Sequence, residues 1–163
     1  MNRSIRRGSL VGATVVVALA VAMIAGVGSA EATTYSYKVF ANEPIQTATG
    51  LAGDPGGEAR SIISMDNVSN TVCATTKFSG IDSPVVMGHV HAGAYGEPEN
   101  PAVTIDLFPA NFNGVTSPAS GCTMAAPGVI DLIHACPSDY NTVIHSKDHP
   151  WAAVRGQLGT GAC

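Results

Sequence analysis

Positive charge is scarce in this sequence. Eight Lys and Arg stand against twelve Asp and Glu, and charged residues fill only 12% of 163 positions. Three of the eight, Arg3, Arg6 and Arg7, sit at the very start, ahead of an apolar run from Leu10 to Val27 and the small-residue exit Gly28-Ser29-Ala30-Glu31-Ala32. A basic start, an apolar middle and small residues at the exit make a secretory signal peptide, a helix removed after Ala30 or after Ala32. The run is also long enough to stay as an uncleaved membrane anchor. Behind residue 32 five basic residues face eleven acidic ones, a net charge of −6. That balance argues against nucleic acid or anionic lipid as partner, because nothing neutralises phosphates. What is left is an extracellular protein or a small ligand, with no membrane contact beyond the leader.

Several chemical signatures are missing too. There is no G-x-S-x-G elbow, no phosphate loop, no Cys/His nucleophile pair and no C-x-x-C. These absences argue against elbow-type hydrolases, zinc ribbons and thioredoxin-like redox chemistry. No complete catalytic constellation stands in the chain, so a non-catalytic module is the expectation. No internal repeat or linker divides residues 33–163, which form one domain.

What is present is Thr, Ser, Val, Gly and Pro in short alternating runs. Strands are expected at 34–41, 58–66, 71–79, 85–92, 102–108, 140–146 and 152–158, with a short one at 121–124. Asp54-Pro55-Gly56-Gly57 is a turn signal, and residues 42–57 read as loop. One short helix is expected at 128–135, after Pro127. The pattern predicts an all-β fold, an antiparallel Greek-key-like sandwich or barrel with one short helix behind the leader.

Of five histidines, three fall in strand-like text: His89 and His91 in GHVHAG (88–93), and His145 in NTVIHS (141–146). Side chains at i and i+2 of a strand share a face, about 6.5–7 Å apart. With a third imidazole from a neighbouring strand they form a three-nitrogen site suited to copper or zinc, with one position open. The plainer alternative is half-buried histidines bonded to backbone carbonyls, Tyr95 or Glu97. His134 reads as helix surface and His149 as an exposed turn residue, so neither is expected to be a ligand. Arg155 is a candidate to pair with Asp106 or with an anionic ligand, a structural ion pair being the favoured reading. Glu97 and Glu99 read as solvated loop residues.

Four cysteines, all behind the leader, imply two disulfides in an oxidising compartment. If 140–146 and 152–158 form a hairpin, its register carried outward sets Cys136 opposite Cys163. Cys73 then falls to Cys122. The rival scheme, Cys122 with Cys136 and Cys73 with Cys163, stays open on this argument alone.

GHVHAG (88–93), NPAVTIDL (100–107), TVCATTKFSGI (71–81), Gly121-Cys122 and the block from Tyr140 through His145 and Pro150 to Arg155-Gly156-Gln157-Leu158 together resemble the CHRD domain, a chordin-type module of secreted proteins. The resemblance spans roughly 35–159. It departs at Val143 and Ala152, where asparagine and glycine are usual. It implies an extracellular all-β module without defined biochemical activity, and it favours Cys73–Cys122. A weaker likeness joins GHVHAGAYG (88–96) and VIH (143–145) to copper/zinc superoxide dismutase, whose H-x-H strand and later histidine hold copper. The dismutase's bridging histidine and zinc loop have no counterpart here, so a mononuclear site is the most that this likeness implies.

Overall fold

Eight strands form in the residues that the computed structural model describes, 33–161 and Cys163; the leader at 1–32 lies outside them. Strands β1 (Thr34–Asn42), β2 (Glu58–Asp66) and β3 (Thr71–Ser79) make a meander in unbroken register, from Thr34↔Asp66 to Asn42↔Glu58 and from Glu58↔Ser79 to Asp66↔Thr71. Asp66 closes the β2–β3 turn by accepting from the backbone amides of Val68 (3.0 Å) and Ser69 (2.7 Å). Asn70, at φ 54°, takes the left-handed position that asparagine tolerates.

Then follow β4 (Val85–Ala92), β5 (Asn100–Phe108), β6 (Ala119–Met124), helix α2 (Val129–Ala135), a 3-10 turn (Pro137–Asp139), β7 (Tyr140–Ser146) and β8 (Val154–Gln157). All pairings are antiparallel, in the order β5-β4-β7-β8-β1-β2-β3-β6. The sheet rolls until its two edges meet. A Cβ placed on Gly121 of β6 would lie 2.8 Å from Phe108 Cα of β5, so only glycine permits that approach. The result is an all-β, nearly closed barrel. Its interior holds Val39, Ile63, Met65, Val72, Val90, Ile105, Leu107, Ile144 and Val154, and α2 adds Ile130 and Ile133. Each such side chain contributes roughly 1.5–3 kcal/mol when fully buried.

Both disulfides match the hairpin argument. Cys73 and Cys122 face each other across β3 and β6 with Cα atoms 4.0 Å apart, and Cys136 joins Cys163 at 5.6 Å. The β7–β8 register, Asn141↔Gln157, opens toward that second bridge. Two disulfides suit an oxidising compartment.

One element departs from expectation. Within 42–57, read as loop, lies helix α1 (Glu43–Thr47). Asn42 caps it by accepting from the Ile45 amide at 3.1 Å, and Pro44 occupies the first turn, where no amide is required. Among the described residues no helix is long and apolar enough to cross a membrane.

Candidate metal centre

β4 lies between β5 and β7, and the register decides which side chains meet outside the barrel wall. His89 stands across from Asp106 on β5 and Val143 on β7; His91 stands across from Thr104 and Asn141; His145 stands across from Met87. Residues paired in this way share a face, the one turned away from Val90, Ile105 and Ile144. His89, His91 and His145 therefore converge: one ring nitrogen of each lies within 4.8 Å of the others. Ring centroids are 4.9 Å apart for His89 and His145, and 5.3 Å for His89 and His91. His91 and His145 are buried and His89 half-buried.

The partner of the far nitrogen assigns the tautomer of His145: its Nδ1 lies 3.0 Å from the Pro150 carbonyl oxygen, which can only accept, so Nδ1 carries the proton and Nε2 is bare. His89 Nε2 faces the Asp106 carboxylate, with Oδ1 at 3.3 Å. His89 Nδ1 lies 3.1 Å from His145 Nε2, a spacing that suits a hydrogen bond when Nδ1 is protonated and a shared metal ion when it is not. A second proton on His145 is disfavoured at neutral pH, because burial and then the neighbouring His89 hold its imidazole down to about 4. Burial and the nearby His91 likewise lower His89, while Asp106 pulls it the other way. His91 Nδ1 adds a contact to Thr104 Oγ1 at 3.4 Å.

Two nitrogens bound to one zinc or copper ion lie at most about 4 Å apart, since each bond is about 2.0–2.1 Å. The three ring nitrogens, within 4.8 Å of one another, are spread at most slightly wider than that. The outer partners, a carboxylate on His89 and a carbonyl on His145, are of the kind that orient metal-bound imidazoles. A second group of ligand-type residues, Cys136, Asp139 and Cys163, is not a thiolate site, because both cysteines are bridged.

The CHRD domain family model matches residues 41–158, most of the chain. The chain belongs to the CHRD domain family. No curated protein and no solved structure is similar enough to count as a match, so the weaker dismutase likeness stays one of motifs.

Next to the histidines the CHRD domain buries a cation. Arg155 is 0% exposed and donates to the carbonyls of Glu97 (2.6 Å), Ala94 (2.9 Å) and Gly93 (3.1 Å), with the Glu99 carboxylate at 3.4 Å. Gln157 and Asn141 donate to the Gly93 carbonyl as well, at 3.1 and 2.9 Å. Gly93, at φ 151°, leaves room for this: a Cβ there would crowd Pro98 O, Arg155 and Asn141 at 2.9–3.1 Å. The clamp ties the 93–99 loop over β7 and β8, directly after His91.

This corrects three expectations. Arg155 does make a structural ion pair, but with Glu99 and not Asp106, because Asp106 sits on β5 and is turned to His89. Glu99 is not a solvated loop residue; its side chain is 16% exposed and held by the arginine. His149 is also less open than a turn tip suggests, since its side chain is 24% exposed and lies 3.8 Å from the buried Asp54. His134 is on the helix surface as expected, stacked on Tyr35. Asp106 and the Pro150 carbonyl were not singled out as partners of the histidines. Alternation alone could have placed Asp106 opposite His89 once the β4–β5 pairing was assumed.

Proposed function

We propose that this chain is an exported, non-catalytic CHRD module whose chemistry is the binding of one transition-metal ion, copper or zinc, by His89, His91 and His145. Export rests on the leader at 1–32, and the two disulfides suit the compartment it implies. The observation that carries the metal reading is the convergence of one ring nitrogen from each of His89, His91 and His145 to within 4.8 Å of one another, with His89 Nδ1 and His145 Nε2 3.1 Å apart. Three neutral nitrogen donors suit copper or zinc and leave a coordination position for water or a small ligand.

The test is titration of purified, metal-stripped protein with zinc and with copper, followed by metal analysis after desalting. The expected result is one ion per chain in the wild type and none in the His89→Ala/His91→Ala variant, with unchanged circular dichroism. Uptake by the wild type no greater than by the variant would sink the reading.

A second reading, a module that binds an organic ligand without metal, draws on a groove of about 1120 Å³ lined by Phe40, Ile45, Tyr95 and Leu158 with Lys38 and Asp139 at its rim. It becomes the leading one if the metal titration fails.

A further inference from the structure

We propose that Met87 is the fourth donor of this centre, and that it makes the site one for copper, in the cuprous as well as the cupric state. The inference rests on the three-histidine reading above and adds to it a soft ligand that names the metal.

Three observations converge on Met87. The β4–β7 register sets it directly across from His145, and the strand period sets it two residues before His89 on the same face. Opposed residues of an antiparallel pair lie about 4.5–5.5 Å apart at Cα, so a flexible thioether reaches an ion held between His89 Nδ1 and His145 Nε2. Met87 is also neither a packing residue nor a solvated one. Met65 is fully buried in the core and Met124 is 67% exposed, whereas Met87 is half-buried on the strand that carries His89 and His91.

The chemistry then separates the two metals. A thioether is a soft, neutral donor that favours cuprous copper and contributes little to zinc. The nearby carboxylate, a donor zinc accepts readily, is engaged from outside the cluster: Asp106 meets His89 on Nε2, the nitrogen turned away from His145. Three imidazoles and one thioether accommodate both oxidation states of copper with no change in protein charge.

The experiment compares wild type with Met87→Leu, which roughly keeps apolar volume and removes the sulfur donor. Cuprous affinity is measured anaerobically by competition with a bicinchoninate chelator, and zinc affinity by calorimetry. Cuprous binding is expected to weaken by about tenfold or more while zinc binding moves by no more than about twofold. X-ray absorption of the wild-type cuprous form, which needs no variant, is expected to show one sulfur scatterer beside the nitrogens. Equal cuprous affinity in the two proteins, or a wild-type spectrum without sulfur, overturns the role of Met87 and leaves the histidines standing. Wild type that takes up neither ion overturns the histidine reading, and this inference with it.

Discussion

The two halves of the barrel share one core but treat their outer faces in opposite ways. Across β1, β2 and β3 burial alternates, so the outside of the wall carries Arg60, Ile62 and Thr75 in solvent. Across β7 and most of β8 both faces are buried, and the outward residues are Asn141, Val143, His145 and Arg155. The difference comes from what lies on top. The 93–99 loop is clamped over one half by Arg155, while the outer face of the meander is bare. A strand face that buries polar groups does so at a cost unless they are partnered. Here Arg155 and His145 are, and Asn141 is through Nδ2, while its Oδ1 stays without a partner among the described residues. His91 and His145 are desolvated on this face, and a carbonyl holds the His145 ring.

The sharpest way to break the comparison is Arg155→Met. It keeps the length of the side chain but takes the arginine donor from the carbonyls of Glu97 and Ala94 and one of three donors from that of Gly93, and it leaves Glu99 without its cation. A loss of about 3–5 kcal/mol is expected, as for other buried pairs deprived of one partner, read from the denaturant midpoint. A loss below about 1 kcal/mol would mean that the loop is not what rigidifies this half.

The pH dependence of the metal-free protein comes next. Neutral His145 in the folded state titrates near 4, against an ordinary value of 6.5. Between those values the unfolded chain binds a proton that the folded one does not, so stability is full above pH 6.5 and falls as pH drops toward 4. The depressed value corresponds to roughly 3 kcal/mol at most. Denaturant midpoints at pH 7 and pH 4.5 should differ accordingly, and the difference should shrink in His145→Phe. A midpoint independent of pH in the wild type would place His145 in water.

Much of the fold was legible because the meander obeys one rule. In β2 and β3 the alternation and the flanking turns mark both ends, and the β7–β8 register was enough to send Cys136 to Cys163. Helix α1 escaped because a glycine- and proline-rich stretch looks like loop, although Asn42-Glu43-Pro44 is a capping signature. The histidine trio was readable from strand spacing, but the outer partners of its rings were not. They are Asp106 beside His89 and, for His145, a carbonyl in the following turn. The Arg155–Glu99 pair spans 56 positions and forms only once the loop closes, so no local pattern announces it.

A smaller effect is expected at Asp106. Replacing it with Asn keeps the shape but removes the carboxylate that fixes the His89 ring. Partners of this kind typically contribute 10–100-fold to metal affinity, or about 1.4–2.7 kcal/mol. Zinc titration of Asp106→Asn should fall in that range with the thermal midpoint little changed. An unaltered affinity would show that packing alone orients His89.

The smallest effect belongs to the exposed half and completes the contrast between the two arginines. Arg60 lies 4.7 Å above the Phe40 ring and 3.9 Å from Glu58, with its side chain 72% exposed. Both contacts compete with water, and exposed ion pairs and cation–π contacts are each worth about 1 kcal/mol or less. Arg60→Ala is therefore expected to cost about 0.5 kcal/mol, and to cost less still in high salt. Because the meander's outer face has no cover, nothing there is left buried when the guanidinium goes. If Arg60→Ala instead destabilised the chain as much as Arg155→Met, the meander's outer face would have to be covered in solution, and the distinction between the halves would fail.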